Sequence, residues 1–165
     1  MKVVRVVIRP LSPVIAPVAT KERIATYVEQ GWLTKEDAEH LDRAFYRDAD
    51  GRPCLSPLAL RQALKAVNAN LAKKVRPLGP LVFERAFVEM RSLRNPKGEQ
   101  TLEVFECVDG SVEGEQLLAV EDDVSTDDLK AALDLALRTV GLGARRAVGY
   151  GRAKVIDVKE VALEA

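Results

Sequence analysis

The chain has 165 residues, of which 47% are hydrophobic and 30% charged, and its 25 Lys and Arg balance 25 Asp and Glu. A chain of this length and hydrophobicity can bury a core without disulfides or metals, so we expect one folded domain at 1–165. No apolar run approaches the roughly 20 residues that span a bilayer, and the charged start at 1–9 is not a signal peptide. The isolated Cys54 and Cys107 fit no zinc or disulfide pattern and indicate a reducing compartment, so we expect a cytoplasmic protein without membrane contact.

Charge is unevenly distributed along the chain. Between Arg61 and Lys97 the net charge is +7, and between Glu103 and Asp134 it is −10. One interpretation is a basic surface for a polyanion and an acidic surface for a basic partner, such as the next copy of the chain. The other is that both segments are solvated faces that arose by chance, and the sequence leaves both interpretations open.

The first predicted element is a strand at 2–9, whose near-continuous apolar run favours a central position in a sheet. Thr20 and Thr34 each precede an apolar stripe at helical spacing and suit the N-cap position. We therefore expect a helical hairpin, inserted at 20–47 and closed by the turn at 48–51.

The remaining elements predict an α+β fold. They are a helix at 57–74, strands at 82–91, 100–108 and 115–121, a helix from Ser125 to Gly141 and a strand at 152–161. The order strand, helix, a group of strands, helix, strand is that of the split βαβ, or ferredoxin-like, arrangement. An undefined α+β sheet with the same elements is the alternative.

Residues 141–152, Gly-Leu-Gly-Ala-Arg-Arg-Ala-Val-Gly-Tyr-Gly-Arg, form the most informative segment. Glycines leave N–H groups open to anions, arginines supply forked donors for phosphate, and a tyrosine ring can stack on an unpaired base. The loop is not a nucleotide-binding fingerprint, because it follows a helix and opens a strand. Helix capping and tight packing by the glycines are the alternative, but the paired arginines favour polyanion binding. The candidate residues are Gly141, Gly143, Arg145, Arg146, Gly149, Tyr150, Gly151 and Arg152.

This segment resembles the C-terminal glycine-rich loop of the RAMP superfamily, the ferredoxin-like RNA-binding proteins of CRISPR systems. Residues 47–64 resemble the segment that leads into the first helix of type III effector backbone subunits, although Gln62 stands where the family has a glycine. Residues 10–15 match the end of the family's first strand. The resemblance therefore covers nearly the whole chain except 20–46.

The resemblance implies a CRISPR RNA-binding backbone subunit of an RNA-guided effector complex, without a cofactor or metal. Its implied partners are the guide RNA, target nucleic acid through that guide, other subunits and head-to-tail copies. RNA phosphates would contact the glycine-rich loop, and Arg61 and Lys65 of the first helix would form the opposite wall. A basic hairpin tip at 91–98, with Arg91, Arg94 and Lys97, would hook over the RNA or touch a neighbour.

Catalysis has little support in the sequence. The family's target-cleaving Asp has no counterpart, because the insertion replaces that region and Asp48 and Asp50 match the turn before the helix. The resemblance also admits the ribonucleases that process precursor CRISPR RNA, in which His40, the only histidine, would be the general acid or base. That enzyme is one alternative, and a RAMP-like domain that makes only protein contacts is the other.

Overall fold

The computed structural model describes residues 1–94 and 96–162, so Asn95 of the predicted hairpin tip and 163–165 of the predicted domain lie outside the described residues. The strands are β1 (Lys2–Pro10), β2 (Val14–Ile15), β3 (Leu41–Arg43), β4 (Tyr46–Arg47), β5 (Pro53–Leu55), β6 (Val75–Pro77), β7 (Leu81–Phe83), β8 (Phe87–Arg94), β9 (Gln100–Val108), β10 (Gly114–Val120) and β11 (Ala153–Val161). The α-helices are α1 (Lys21–Glu29), α2 (Lys35–Ala38), α3 (Ala59–Val67), α4 (Ala69–Ala72) and α5 (Thr126–Thr139), and Arg146–Val148 forms a short 3₁₀ helix.

Strand β1 lies inside the larger, antiparallel sheet, whose order is β11-β1-β10-β7-β5-β4, with β6 also paired to β10. Its alternate residues Val4, Val6 and Ile8 are fully buried in one core with the apolar faces of α3 and α5. Pairing on both edges and burial of one face explain the apolar run that predicted a central strand. The predicted α+β fold is confirmed, and the strand order agrees with a split βαβ arrangement.

The second sheet carries a long hairpin. Strand β9 pairs with β8 from Phe87 opposite Cys107 to Arg94 opposite Gln100, and its other edge pairs with β2 and β3. The prediction of one strand at 82–91 is wrong, because β7 belongs to the larger sheet and β8 to this one. The chain changes sheets between them, so the hairpin projects as a separate arm.

The insertion is only partly helical. Helix α1 begins as predicted, with Thr20 Oγ1 accepting from the Arg23 N–H at 3.2 Å, but α2 ends at Ala38 and the chain continues as β3 and β4. The predicted second helix is therefore wrong beyond Ala38. Its apolar stripe serves two clusters instead, since Leu41 packs with α1 while Phe45 lies in the main core.

The predicted helix at 57–74 is divided at Asn68. This residue leaves helical geometry, with φ −153° and ψ 84°, and its Oδ1 accepts from the Leu71 N–H at 3.1 Å. Asparagine side chains compete with the helix in this way and favour caps. The result is two helices, α3 and α4, that meet at an angle set by the cap.

Helix α5 matches its prediction closely. Ser125 Oγ accepts from the Asp128 N–H at 3.1 Å, and Gly141 follows the helix with φ +81°, the left-handed conformation that commonly ends helices. No helix within 1–94 and 96–162 is long and apolar enough to cross a membrane.

Candidate nucleic-acid interface

The glycine-rich loop between α5 and β11 is fixed at both ends by the segment that follows β1. The Ala144 N–H donates to Ile15 O at 2.9 Å, and the Gly151 N–H donates to Pro13 O at 2.8 Å. The Leu142 N–H closes the loop on itself by donating to Gly151 O at 2.9 Å. The loop is therefore narrow at its base, and residues 145–149 project into solvent.

Three of the four loop glycines serve packing. A Cβ on Gly143 would overlap the Ile15 carbonyl, one on Gly151 would overlap the Leu142 carbonyl, and one on Gly141 would press against Gly151 O. Gly149 faces open space, but its N–H donates to Arg146 O at 3.1 Å. The prediction of an open N–H at Gly149 is therefore wrong, and the packing interpretation holds for the other three.

Arg152 supports the loop from within. Its Nη1 donates to Val140 O at 2.5 Å, at the end of α5, and its Nη2 donates to Arg146 O at 3.1 Å. Its own N–H donates to Ser12 Oγ at 3.0 Å. This half-buried guanidinium thus satisfies the Val140 carbonyl at the helix end and adds a second donor to the Arg146 carbonyl, which differs from the phosphate-binding role predicted for it.

The paired arginines have different surroundings. Arg145 adopts the left-handed conformation with φ 62°, and its Nη2 donates to Glu103 Oε2 at 2.8 Å. Arg146 is exposed, and its side chain makes no ion pair or hydrogen bond with any residue in 1–94 or 96–162. Of the two, Arg146 offers the cation that is free to bind an external anion.

An open cleft of about 960 Å³ separates the loop from α3. The loop contributes residues 143–148 and Arg152, and α3 contributes Gln62 and Ala66. The predicted wall residues Arg61 and Lys65 precede these by one position, which rotates them about 100° around the helix.

Arg61 and Lys65 accordingly lie off the cleft floor. Arg61 Nε donates to the carbonyls of Ala72 at 3.0 Å, at the end of α4, and Val75 at 3.1 Å, at the start of β6. Lys65 is exposed beside the cleft, and its long side chain can reach the rim. Helix α3 lines the cleft through Gln62 and Ala66, one position later than the predicted wall residues.

Tyr150 is half-buried against the cluster of Ile15, Phe105 and Cys107. The Arg91 guanidinium lies 4.6 Å from the centre of its ring, the geometry of a cation–π contact. A base can stack on this ring only after Arg91 moves. The other two residues of the predicted basic tip, Arg94 and Lys97, are exposed at the end of the hairpin.

The candidate catalytic residues do not form a recognisable catalytic site. His40 is exposed beyond α2, lines an open groove of about 1270 Å³ and has no hydrogen-bond partner in the described part of the chain. Asp48 accepts from the N–H groups of Asp50 and Arg52 and from Arg52 Nε, so it builds the turn. Burial raises the pKa of Asp48, but these hydrogen bonds outweigh it and hold the pKa below its usual value.

Asp50 is exposed and pairs with Arg52 at 3.7 Å. Cys54 and Cys107 are both buried, and burial raises the pKa of Cys107 to about 12, so this thiol stays neutral. No cluster of metal-binding side chains occurs among residues 1–94 and 96–162.

Two glutamates that the sequence did not single out connect the hairpin with its surroundings. Glu103 binds Arg145 and also accepts from Arg43 Nε at 2.7 Å. Glu106 is 2% exposed, accepts from the Phe45 N–H at 3.0 Å and pairs with Arg47 at 2.5 Å. Both lie in β9, whose sequence mixes polar and apolar residues. Only the ion pairs in the structure therefore distinguish these two glutamates from solvent-exposed acids.

No family model and no curated protein matches the sequence. Among solved structures, a chain of the type III-B Cmr-beta complex bound to cognate target RNA is similar, with a TM-score of 0.62 over 97% of this chain and 13% identity. The present chain spans only 60% of that chain's length. Cmr6 from Pyrococcus furiosus is similar with a TM-score of 0.52, 12% identity, and coverage of 92% of this chain and 97% of Cmr6.

The chain shares its fold with these two proteins. At these identities the likeness establishes the fold alone. Within this fold the two sequence segments that carried the resemblance, 47–64 and 141–152, meet at one cleft, through Gln62 on one side and Arg146 on the other. Segments far apart in the chain thus supply the two walls of one candidate RNA site.

Proposed function

We propose that this chain is a guide-RNA-binding subunit of an RNA-guided CRISPR effector complex and holds the RNA in the cleft between α3 and the loop 141–152. The observation that carries the proposal is the exposed Arg146, which pairs with no described residue and lies on a loop fixed at both ends, opposite a helix with no acidic residue. The shared RAMP fold supports it, since the Cmr-beta assembly is an RNA-bound one.

Phosphate contacts dominate in this account. Arg146 binds a phosphate directly, and Lys65 at the rim adds a second, mobile charge. Phosphate contacts carry little sequence information, so we expect binding with little sequence preference. Arg91, Arg94 and Lys97 on the hairpin extend the basic surface toward the RNA or toward a neighbouring subunit.

The test is RNA binding by the Arg146→Ala variant. We expect weaker binding of a fluorescein-labelled single-stranded RNA, measured by anisotropy, and a salt dependence reduced by roughly 0.7 logarithmic units because one phosphate contact is lost. The matched control is Arg5→Ala, which removes an exposed arginine from the sheet face opposite the helices. An unchanged salt slope in Arg146→Ala would remove this residue from the site.

The proposed partners are other subunits of the effector complex and further copies of the chain arranged head to tail. Target nucleic acid would join by pairing with the guide. Part of the charge asymmetry is neutralised internally, since Lys74 pairs with Asp123 at 2.5 Å. Light scattering at low and high ionic strength tests the self-association, which should weaken as salt screens the remaining charges.

A further inference from the structure

Side chains of the β8–β9 hairpin contact the loop residues that RNA would need. Glu103 accepts from Arg145 Nη2 at 2.8 Å and from Arg43 Nε at 2.7 Å, and its side chain is only 12% exposed. A carboxylate and a phosphate bind a guanidinium through the same forked hydrogen bonds. Glu103 Oε2 accepts one hydrogen bond from Arg145 Nη2 and therefore takes a donor that a phosphate would use.

A second contact joins the same two segments. Arg91, whose guanidinium covers the Tyr150 ring at 4.6 Å, is the direct cross-strand partner of Glu103 in the β8–β9 ladder. One pair on the hairpin thus holds both the arginine and the aromatic ring of the loop. RNA that takes the Nη2 donor of Arg145 or the Tyr150 ring face beneath Arg91 must therefore displace the hairpin side chain that occupies it.

We infer that the cross-strand pair Arg91–Glu103 is an internal competitor of RNA, displaced from the loop when a phosphate takes Arg145 and a base takes Tyr150. The inference rests on the proposed function and adds a regulation of the same site. Arg43 makes the exchange feasible, because it stays paired with Glu103 and the half-buried carboxylate is not left without a cation. The hairpin then sets how tightly the free subunit binds RNA.

The experiment compares Glu103→Gln, Arg145→Ala and the double variant in anisotropy titrations with a labelled single-stranded RNA at low salt. Glu103→Gln removes the competing charge with little change in shape, so we expect binding about fivefold tighter than wild type. The gain should vanish in the Arg145→Ala background, where there is nothing left to compete for. Glu89→Gln is the matched control, since Glu89 is an exposed carboxylate of the same hairpin that has no ion pair in the described part of the chain.

A gain of equal size with and without Arg145, or the same gain in Glu89→Gln, would reduce the effect to a general change of charge and overturn the inference. So would unchanged or weaker binding by a folded Glu103→Gln variant. Should that variant fail to fold, Arg145→Ala and Arg146→Ala decide in its place: competition predicts that loss of Arg145 weakens binding less than loss of Arg146. Failure of the wild type to bind RNA at any salt concentration would overturn the proposed function as well.

Discussion

Arg47 and Glu106 form a buried ion pair that fastens the insertion to β9. Their side chains are 4% and 2% exposed, and the Arg47 guanidinium lies 5.5 Å from the centre of the Tyr27 ring. Two nitrogens of Arg47, Nε and Nη1, have no hydrogen-bond partner among the described residues. Such a pair gains little over apolar residues of similar volume, but breaking it leaves a buried charge uncompensated.

Glu106→Ala should therefore lower the free energy of unfolding by about 3–5 kcal/mol, because Arg47 would remain buried and charged. The double change Arg47→Met and Glu106→Leu should cost less than half as much, since no charge is left inside. Urea denaturation followed by circular dichroism measures both, with the exposed Glu160→Ala as control. A cost below about 1 kcal/mol for Glu106→Ala would mean that water reaches the pair.

The glycines of the loop 141–152 show how far the type of a residue predicts its structural role. Composition favoured polyanion binding by 141–152 over tight packing, because glycines and paired arginines are abundant there. Which glycine packs and which faces solvent depends on the Ile15 carbonyl, which belongs to a distant segment, and on the Leu142 carbonyl across the loop. Arg145 and Arg152 are likewise occupied by groups that the sequence gives no means of placing beside them.

Strand β11 is held to α5 at an irregular point of the sheet. Its pairing with β1 shifts between Val7 opposite Asp157 and Ile8 opposite Val155, which inserts one extra residue. The Val155 N–H turns to Asp134 Oδ1 at 2.9 Å instead, and Asp134 also accepts from Arg138 Nε at 2.7 Å. A carboxylate on the helix thus supplies the acceptor that this N–H needs once the pairing shifts.

This contact predicts a dependence of stability on pH. Burial raises the pKa of Asp134, but the hydrogen bonds from Val155 and Arg138 outweigh it and hold the pKa below its usual value. A lowered pKa adds stability that is fully present above the unfolded pKa of about 4 and is lost as pH falls through the folded pKa. Thermal unfolding of wild type and Asp134→Asn should differ most at neutral pH and converge below about pH 4. A difference in melting temperature that stays constant across that range would contradict the assignment.

At the level of elements, the strongest sequence periodicities were reliable. The apolar run of β1 and the capped stripe of α5 each follow from one element packed on one core, so the local pattern carries the information. The predictions for 34–47 and 82–91 were wrong because each segment contributes to two hydrophobic clusters or to two sheets. Apolar spacing alone cannot show that a chain changes its packing partner halfway.

The whole molecule joins three distant parts of the chain around one surface. The first helix and the C-terminal loop form the cleft, and the hairpin arm contacts the loop from its other side through Glu103 and Arg91. The family resemblance predicted that the first two would cooperate, because it matched both segments. It gave no indication that the hairpin would neutralise one arginine of the pair, since that depends on the register of β8 and β9.

The position of the RNA can be tested at Ala66, which is exposed, lines the cleft and lies one turn from Gln62 on α3. Ala66→Glu adds a negative charge beside the proposed phosphate path and should weaken RNA binding by about threefold to tenfold, whereas Ala66→Arg should strengthen it. Ala131→Glu places the same charge on an exposed site of α5 away from the cleft lining, so its effect should be far smaller. Anisotropy titrations at one salt concentration compare the three variants. Equal weakening by the two glutamates would show that net charge alone governs binding and that the RNA does not follow α3.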